Sequence, residues 1–431
     1  MWIVISEKGK MKIKISIVMP VHNTGVYLRE ALESIFNQSL QDFEVICVDD
    51  ASDEEKTEDI LLEYQSVHKN MCVIWLKENV GAGEARNIGF SFAKGEYVCF
   101  LDADDIFTEG LFEKLYRCIH INNADVCICG HEEFYIENEE KVIGLKWMPE
   151  KSKIGANDRE DWLLNISTTA WDKLYRTRFF KENSICFQKL SSCNDVFFSC
   201  RVMINATKMC CIEEPLILYR TRTGNQISTH RNPVDLYKAM MQLYEVEKNS
   251  EDNLLMQQIG ALLLRNGIWE LRNCDNQLYK QQYYSLLYDF FSNHDIGFQN
   301  KFLEVLAWNI RNSPKEEQWI FKDMDFLGQL KMTVQELKRA IEGQSPLFLW
   351  GLGYRGDIFQ KFCMQEGIFL QGVTDIKNCN VGGRTRFMNM IVSTDYVLER
   401  DGMIIACNTE IYNYLLKYNL MLINLDDYCV F

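Results

Sequence analysis

Through its first 130 residues the chain alternates short apolar runs rich in β-formers with stretches whose apolar residues recur at helical spacing, and few architectures accommodate that alternation. Residues 13–19 form a β-rich run closed by Pro20. Leu28, Ala31, Leu32, Ile35 and Phe36 then recur three or four apart, behind Asn23 and Thr24, which are suited to cap a helix. Residues 43–48 form a second strand that ends in Asp49-Asp50. Ser52 and Glu55 have the spacing of a capping box ahead of Ile60, Leu61, Tyr64 and Val67. Residues 71–76, 97–101 and 125–129 supply three more strands, and 83–94 a third helix. This order implies an α/β fold, a mostly parallel sheet with helices on both faces.

In open sheets of that kind ligands bind beyond the carboxyl ends of the strands. Pro20-Val21-His22-Asn23, Asp49-Asp50 and Asp102-Ala103-Asp104-Asp105 all fall at such ends, so three polar clusters converge on one rim. An isolated Asp-x-Asp-Asp is as a rule a solvated acidic turn; the convergence is what argues for a site. Hard carboxylate oxygens suit Mg²⁺ or Mn²⁺, which take one or two protein carboxylates and complete their shell with water and phosphate oxygens. Between the third and fourth strands lies Gly81-Ala82-Gly83-Glu84-Ala85-Arg86-Asn87. Small residues there admit a ligand close to the backbone, and Arg86 is placed to contact phosphate, unless it is an ordinary surface arginine at a helix start.

Residues 17–23, Val48-Asp49-Asp50-Ala51-Ser52, residues 79–87 and Phe100-Leu101-Asp102-Ala103-Asp104-Asp105 together resemble the family 2 glycosyltransferases of GT-A fold, over roughly residues 13–230. The resemblance implies that Pro20, Val21 and His22 line a nucleotide pocket, that Asp50 hydrogen-bonds the base, and that Arg86 helps hold the nucleotide. Asp102 and Ala103 would face the ribose or sugar, and Asp104 would bind Mn²⁺ or Mg²⁺ directly. It further implies a nucleotide-sugar donor, UDP-linked, and a glycan or lipid-linked acceptor in surface polysaccharide synthesis. Family members usually carry Glu-Asp where this chain has Asn194-Asp195; the retained Asp195 would be the general base of an inverting displacement, or else simply a helix cap. Thr169-Ala170-Trp171-Asp172-Lys173-Leu174-Tyr175-Arg176 resembles a family stretch in which Trp171 and Lys173 would form an acceptor wall, with a core tryptophan as the competing reading. Arg220 and Arg222 resemble residues of a segment that closes over the diphosphate, with an ordinary charged loop as the alternative.

A net charge of −15 disfavours a nucleic-acid polymer as partner, which requires a basic face. No run approaches 18 apolar residues, so no spanning helix is expected, and the interrupted first 14 residues do not read as a secretory signal. Sixteen cysteines without regular spacing read as reduced core residues of a cytoplasmic protein, with membrane contact at most peripheral. Cys127-x-Cys129 and Cys210-Cys211 are too isolated to suggest zinc.

The expected organisation is a catalytic domain over 1–235, a helical region over 236–343 and a small Rossmann-like α/β unit over 344–431. Helical patterns over 236–246, 254–271 and 279–291 read as packing helices, and association with a second copy stays open. In the last segment a strand at 347–350 is followed by Gly351, Gly353 and Gly356, a helical stretch, a strand at 369–374 and Asp375, with further strands at 403–407 and 420–425. These are the parts of a dinucleotide-binding half. The competing function is therefore an NAD(H)-binding redox or sensing protein acting through that unit.

Overall fold

The computed structural model describes residues 13–137, 140–151, 154, 163, 167–221, 232–250, 253–273, 276–294 and 296–298, then positions 307, 310 and 311, and 347–350, 360, 369–374, 403–406 and 421–424. The chain divides into two compact units, Met1–Tyr283 and Tyr284–Phe431.

The first unit opens with β1 (Ile15–Val21), α1 (Val26–Phe36), β2 (Phe43–Asp49), α2 (Glu55–Val67), β3 (Met71–Trp75), α3 (Ala82–Ser91) and β4 (Tyr97–Phe100). A short β5 (Ile106–Phe107) and α4 (Leu111–Ile121) follow. Then come β6 (Val126–Glu137), β7 (Glu140–Trp147), β8 (Lys173–Arg176), α5 (Thr177–Asn183), α6 (Asn194–Asn205) and β9 (Met209–Arg220). The sheet order is β3-β2-β1-β4-β8-β6-β9-β5, with β7 paired to β6. Strands β1 to β4 pair in parallel; β8 runs antiparallel to both β4 and β6, and β6 pairs in parallel with β9. The helices α7 (Pro233–Glu247), α8 (Asn253–Asn273) and α9 (Gln277–Asn293) succeed them, and α7 packs on α6 and α8. No described helix is long and apolar enough to cross a membrane.

Alternation along β1 covers both faces of the sheet. Ile15, Ile17, Met19 and Val21 join one buried cluster with Leu28, Leu32 and Ile35 of α1 and Leu111, Phe112 and Leu115 of α4. Val18 and Val48 point to the other face, against α3. A Cβ on Gly89 would sit 2.5 Å from the Val18 side chain, so glycine lets that helix approach closely. Phe100, on the same face as Val18, packs edge-on against Phe187 and Phe198, with ring centroids 4.8 and 5.4 Å away.

Three local expectations give way to tertiary contacts. Pro20 does not close the first strand but lies inside it, beyond the Ile15–Val18 stretch that pairs with β4, where a missing N–H breaks no ladder bond. Neither Asn23 nor Thr24 caps α1, whose N-cap is Gly25; Asn23 instead accepts from the Asp53 and Glu54 amides across the loop, at 3.0 and 3.1 Å. Ser52 forms no capping box. Its hydroxyl accepts from the Asn23 amide at 3.0 Å, and α2 starts after Glu54. The short polar side chains reach the neighbouring loop rather than their own helix.

In the second unit, β10 (Leu347–Trp350), β11 (Gly372–Thr374), β12 (Met403–Ala406) and β13 (Met421–Asn424) form a parallel sheet in the order β11-β10-β12-β13. Leu347 to Trp350 are all buried, as a strand covered on both faces requires. Gly351, Gly353, Gly356 and Asp375 lie outside the described residues.

Candidate active site

A cavity of about 580 Å³ opens at the carboxyl ends of β1, β2 and β4. Its walls include Pro20, Val21, His22, Asn23, Asp50, Arg86, Asp102, Ala103 and Asp104; of the rim clusters, Asp49 and Asp105 are buried and lie outside the lining. Asn79, the first residue of the 79–87 motif, also lines it, as do Glu54, Tyr27, Ser191 and Tyr219, which were not singled out in the sequence. Tyr27 lies in α1, Tyr219 in β9 and the other three in connecting segments, so their approach to one another depends on the fold.

Hydrogen bonds fix the floor. The Asp50 carboxylate accepts from the amides of Val80 and Gly81 at 2.7 and 2.9 Å, and its carbonyl oxygen lies 2.9 Å from His22 Nδ1. A buried carboxylate so engaged orders the β3–α3 loop and still faces the cavity. Gly81 carries φ +89°, a backbone that glycine adopts without strain. Gly83 serves another purpose than expected. A Cβ there would fall 2.3 Å from the Gln188 carbonyl oxygen and 3.1 Å from Asn194, so its smallness admits the segment before α6 rather than a ligand.

Arg86 is buried between two elements. Its Nη2 donates to Asp102 Oδ1 at 2.5 Å and its Nη1 to Asn194 Oδ1 at 2.9 Å, over the Phe187 ring. Asn194, the departure from the family's Glu, thus holds the guanidinium with a neutral amide, and Asp102 is the carboxylate paired to it. Asp195 follows on the first turn of α6, half-buried and outside the cavity lining, behind Cys193 with φ 53°. Ser191, at the mouth, donates to Asp235 Oδ2 of α7 at 2.5 Å, which ties this segment down.

The acidic turn is braced from beneath. Asp105 is fully buried; its Oδ1 accepts from the Arg220 amide at 2.8 Å while Oδ2 has no partner. Burial, and then the neighbouring Asp104 and Asp102 carboxylates, push the Asp105 carboxyl well above its ordinary range. Arg220 donates through Nε to the Asp104 carbonyl oxygen and through Nη2 to Glu30, both at 2.7 Å. Its guanidinium lies over the Tyr27 and Phe134 rings. Proposed above for the diphosphate, Arg220 is 3% exposed and outside the lining; Arg222 lies outside the described residues.

The expected acceptor wall is likewise interior. Lys173 is fully buried, its Nζ donating to Asp172 Oδ1 at 2.5 Å and to the carbonyl oxygens of Ser167 and Thr169. Trp171 is buried, stacked on Tyr219 with centroids 5.1 Å apart. Of this stacked pair it is Tyr219 that lines the cavity, with Trp171 outside the lining.

The glycosyl transferase family 2 model matches residues 16–195. Over 224 residues the chain is 33% identical to glycosyltransferase GlyG of Streptococcus pneumoniae serotype 4, a match covering 50% of this chain and 73% of that one. The chain belongs to glycosyltransferase family 2. This family 2 glycosyltransferase is also 30% identical over 236 residues to the poly(ribitol-phosphate) beta-N-acetylglucosaminyltransferase TarS of Staphylococcus aureus, covering 53% of this chain and 39% of TarS. Its fold matches S. aureus TarS 1–349, solved in complex with UDP-GlcNAc, at TM-score 0.56 and 24% identity. That match covers 69% of this chain and 87% of that one, and supports the GT-A fold.

The donor chemistry of the acidic turn suits a divalent cation. Asp102 and Asp104 present hard oxygens to the cavity, and their negative charge, which adds to burial in raising Asp105, is what a divalent ion would offset.

Proposed function

We propose that this family 2 glycosyltransferase moves a sugar from a UDP-linked donor to a glycan or lipid-linked acceptor by an inverting, divalent-metal-dependent displacement. The observation that carries this reading is the cavity in which Asp50, Arg86, Asp102 and Asp104 meet at the ends of parallel strands. Pro20, Val21, His22 and Asp50 form the nucleoside end. Asp102 and Ala103 face the ribose and sugar, and Asp104, with Asp102 beside it, holds Mn²⁺ or Mg²⁺. When bound, such an ion supplies Lewis-acid neutralisation of the leaving diphosphate.

Arg86 contributes positive charge on the donor side. Its second anchor, Asn194, is neutral, so less of that charge is cancelled than a carboxylate at the same position would cancel. The acceptor hydroxyl oxygen forms the new bond to the anomeric carbon as the bond from that carbon to the diphosphate oxygen breaks. The electron pair leaves with the diphosphate, and the hydroxyl proton passes to the Asp195 carboxylate. The poly(ribitol-phosphate) beta-N-acetylglucosaminyltransferase relative supports a phosphate-rich polymer or its precursor as the acceptor class.

A panel of nucleotide sugars, scored for nucleotide release with Mn²⁺, Mg²⁺ or chelator, tests the donor and the metal together. UDP-sugars are expected to turn over only with the cation. In the same assay Asp195→Asn should retain donor binding and lose transfer by on the order of a thousandfold; unchanged turnover removes Asp195 from the chemistry.

A further inference from the structure

Away from the cavity, three cysteines from three elements converge in the core between α4 and the sheet. Cys127 of β6 and Cys210 of β9 are direct partners in the parallel register, so their side chains share a face. Cys118 of α4 descends on that pair. The three Sγ atoms lie within 4.8 Å of one another. No Cys-x-x-Cys spacing announces the group, because helix packing and strand register bring it together.

We propose that Cys118, Cys127 and Cys210 form a binding site for a thiophilic divalent cation of the zinc class, which fastens α4 to β6 and β9. A zinc–thiolate bond is about 2.3 Å, so sulfurs around one tetrahedral ion sit roughly 3.8 Å apart. The group needs to contract by about 1 Å at most to reach that spacing. A disulfide would need one pair to close to about 2 Å and would leave the third sulfur unused.

The surroundings favour thiolates on an ion of charge two. Asn122 Nδ2 lies 3.8 Å from Cys118 Sγ and donates toward it, and the Lys151 charge acts on Cys118 in the same sense. Three thiolates on a divalent ion carry one net negative charge, which Lys151 offsets; a monovalent ion would leave two in a half-buried place. Without metal, Cys210 donates to the Val126 carbonyl oxygen and Cys118 to that of Cys211, both at 3.7 Å, and burial pushes the Cys127 thiol up. The exchange is balanced as one divalent ion in and three thiol protons out, the fourth position going to a small oxygen ligand such as water.

Titration of the full chain with Cd²⁺, followed by thiolate-to-metal charge-transfer absorption, tests the site. One equivalent should saturate the band, with Zn²⁺ competing it away, and apparent affinity should fall between about pH 8 and about pH 6 as protons compete. Cys118→Ser, at a half-buried position, and Cys210→Ser should each weaken binding by on the order of 100-fold or more, whereas Cys72→Ser, at an exposed thiol, should change nothing. Zn²⁺ should raise the Tm of the native chain by about 3 °C or more and leave that of Cys118→Ser unmoved. A band of equal strength in the Cys118→Ser and Cys210→Ser chains, or no saturable band in the native chain, overturns the proposal. So does a Cys118–Cys127 or Cys118–Cys210 disulfide in protein kept under a thiol reductant.

Discussion

The two halves of the main sheet use charged residues in opposite ways. From β1 to β4 the strands run in parallel, and His22, Asp50, Asp102 and Asp104 all lie where a strand has just ended, on the wall of one cavity. From β8 to β9, where directions mix, the conspicuous charges turn inward: Lys173 and Asp172 are fully buried together, and Arg220 lies under the acidic turn. Parallel strands send every carboxyl end to one edge, so polar residues there share a rim. In a mixed sheet, successive strand ends leave on opposite sides, and a charge beside an apolar run becomes a brace.

The widest separation between the halves is expected from Asp104→Ala. On the cavity side it should reduce sugar transfer by about a thousandfold, the several kcal/mol that a Lewis acid contributes, with thermal stability nearly unchanged. A folded variant that transfers at the native rate would leave the acidic turn as a brace too, and the contrast would collapse.

Lys173→Ala probes the other half. Removal of the ammonium strands Asp172, already 0% exposed, without its counter-charge, and about 3–5 kcal/mol of unfolding free energy should go with it. Urea denaturation reads that loss, while transfer per folded molecule should stay within about twofold. Native stability with collapsed transfer would instead return Lys173 to the acceptor wall.

The same contrast governs what the sequence reveals. Arg86 of α3 was legible because small residues precede it, and Asp50 and the Asp102-Ala103-Asp104 turn because a parallel strand's end is marked by an apolar run breaking into polar residues. The four strands of the second sheet were legible for the same reason. The roles of Trp171 and Lys173 were not, since Trp-x-Lys leaves unstated which side a strand shows to the core; Tyr219 lines the cavity and Trp171, stacked on it, is buried. Gly83 misled in a similar way. Its missing Cβ is matched by a backbone carbonyl from about 100 residues away, a contact that no local pattern encodes.

Arg86→Lys sharpens the assignment within the cavity half. A lysine keeps the charge and loses the fork that grips Asp102 and Asn194 at once. The donor KM should rise about tenfold, the equivalent of one charged hydrogen bond, with a smaller change in kcat. A fall in kcat alone would mean that Arg86 acts on the transition state and not on the bound donor.

The smallest effect, and the one that joins the halves, is at Asp105, where the cavity's acidic turn meets the brace from β9. Its folded carboxyl titrates well above its ordinary range, chiefly through burial. Above the unfolded pKa, near 4, the folded chain therefore binds more protons than the unfolded one. Stability contributed by Asp105 is fully present below that pH and is lost as pH rises toward the raised folded value. Asparagine reproduces the neutral acid: its carbonyl oxygen can accept from the Arg220 amide as Oδ1 does, and no charge remains to be buried. Asp105→Asn should therefore flatten the decline of metal-free stability with rising pH, measured by urea midpoints across that window. At neutral pH it should stabilise the chain by about 1 kcal/mol. A steeper decline would show instead that ionised Asp105 is the form the fold prefers, with the Arg220 brace outweighing burial.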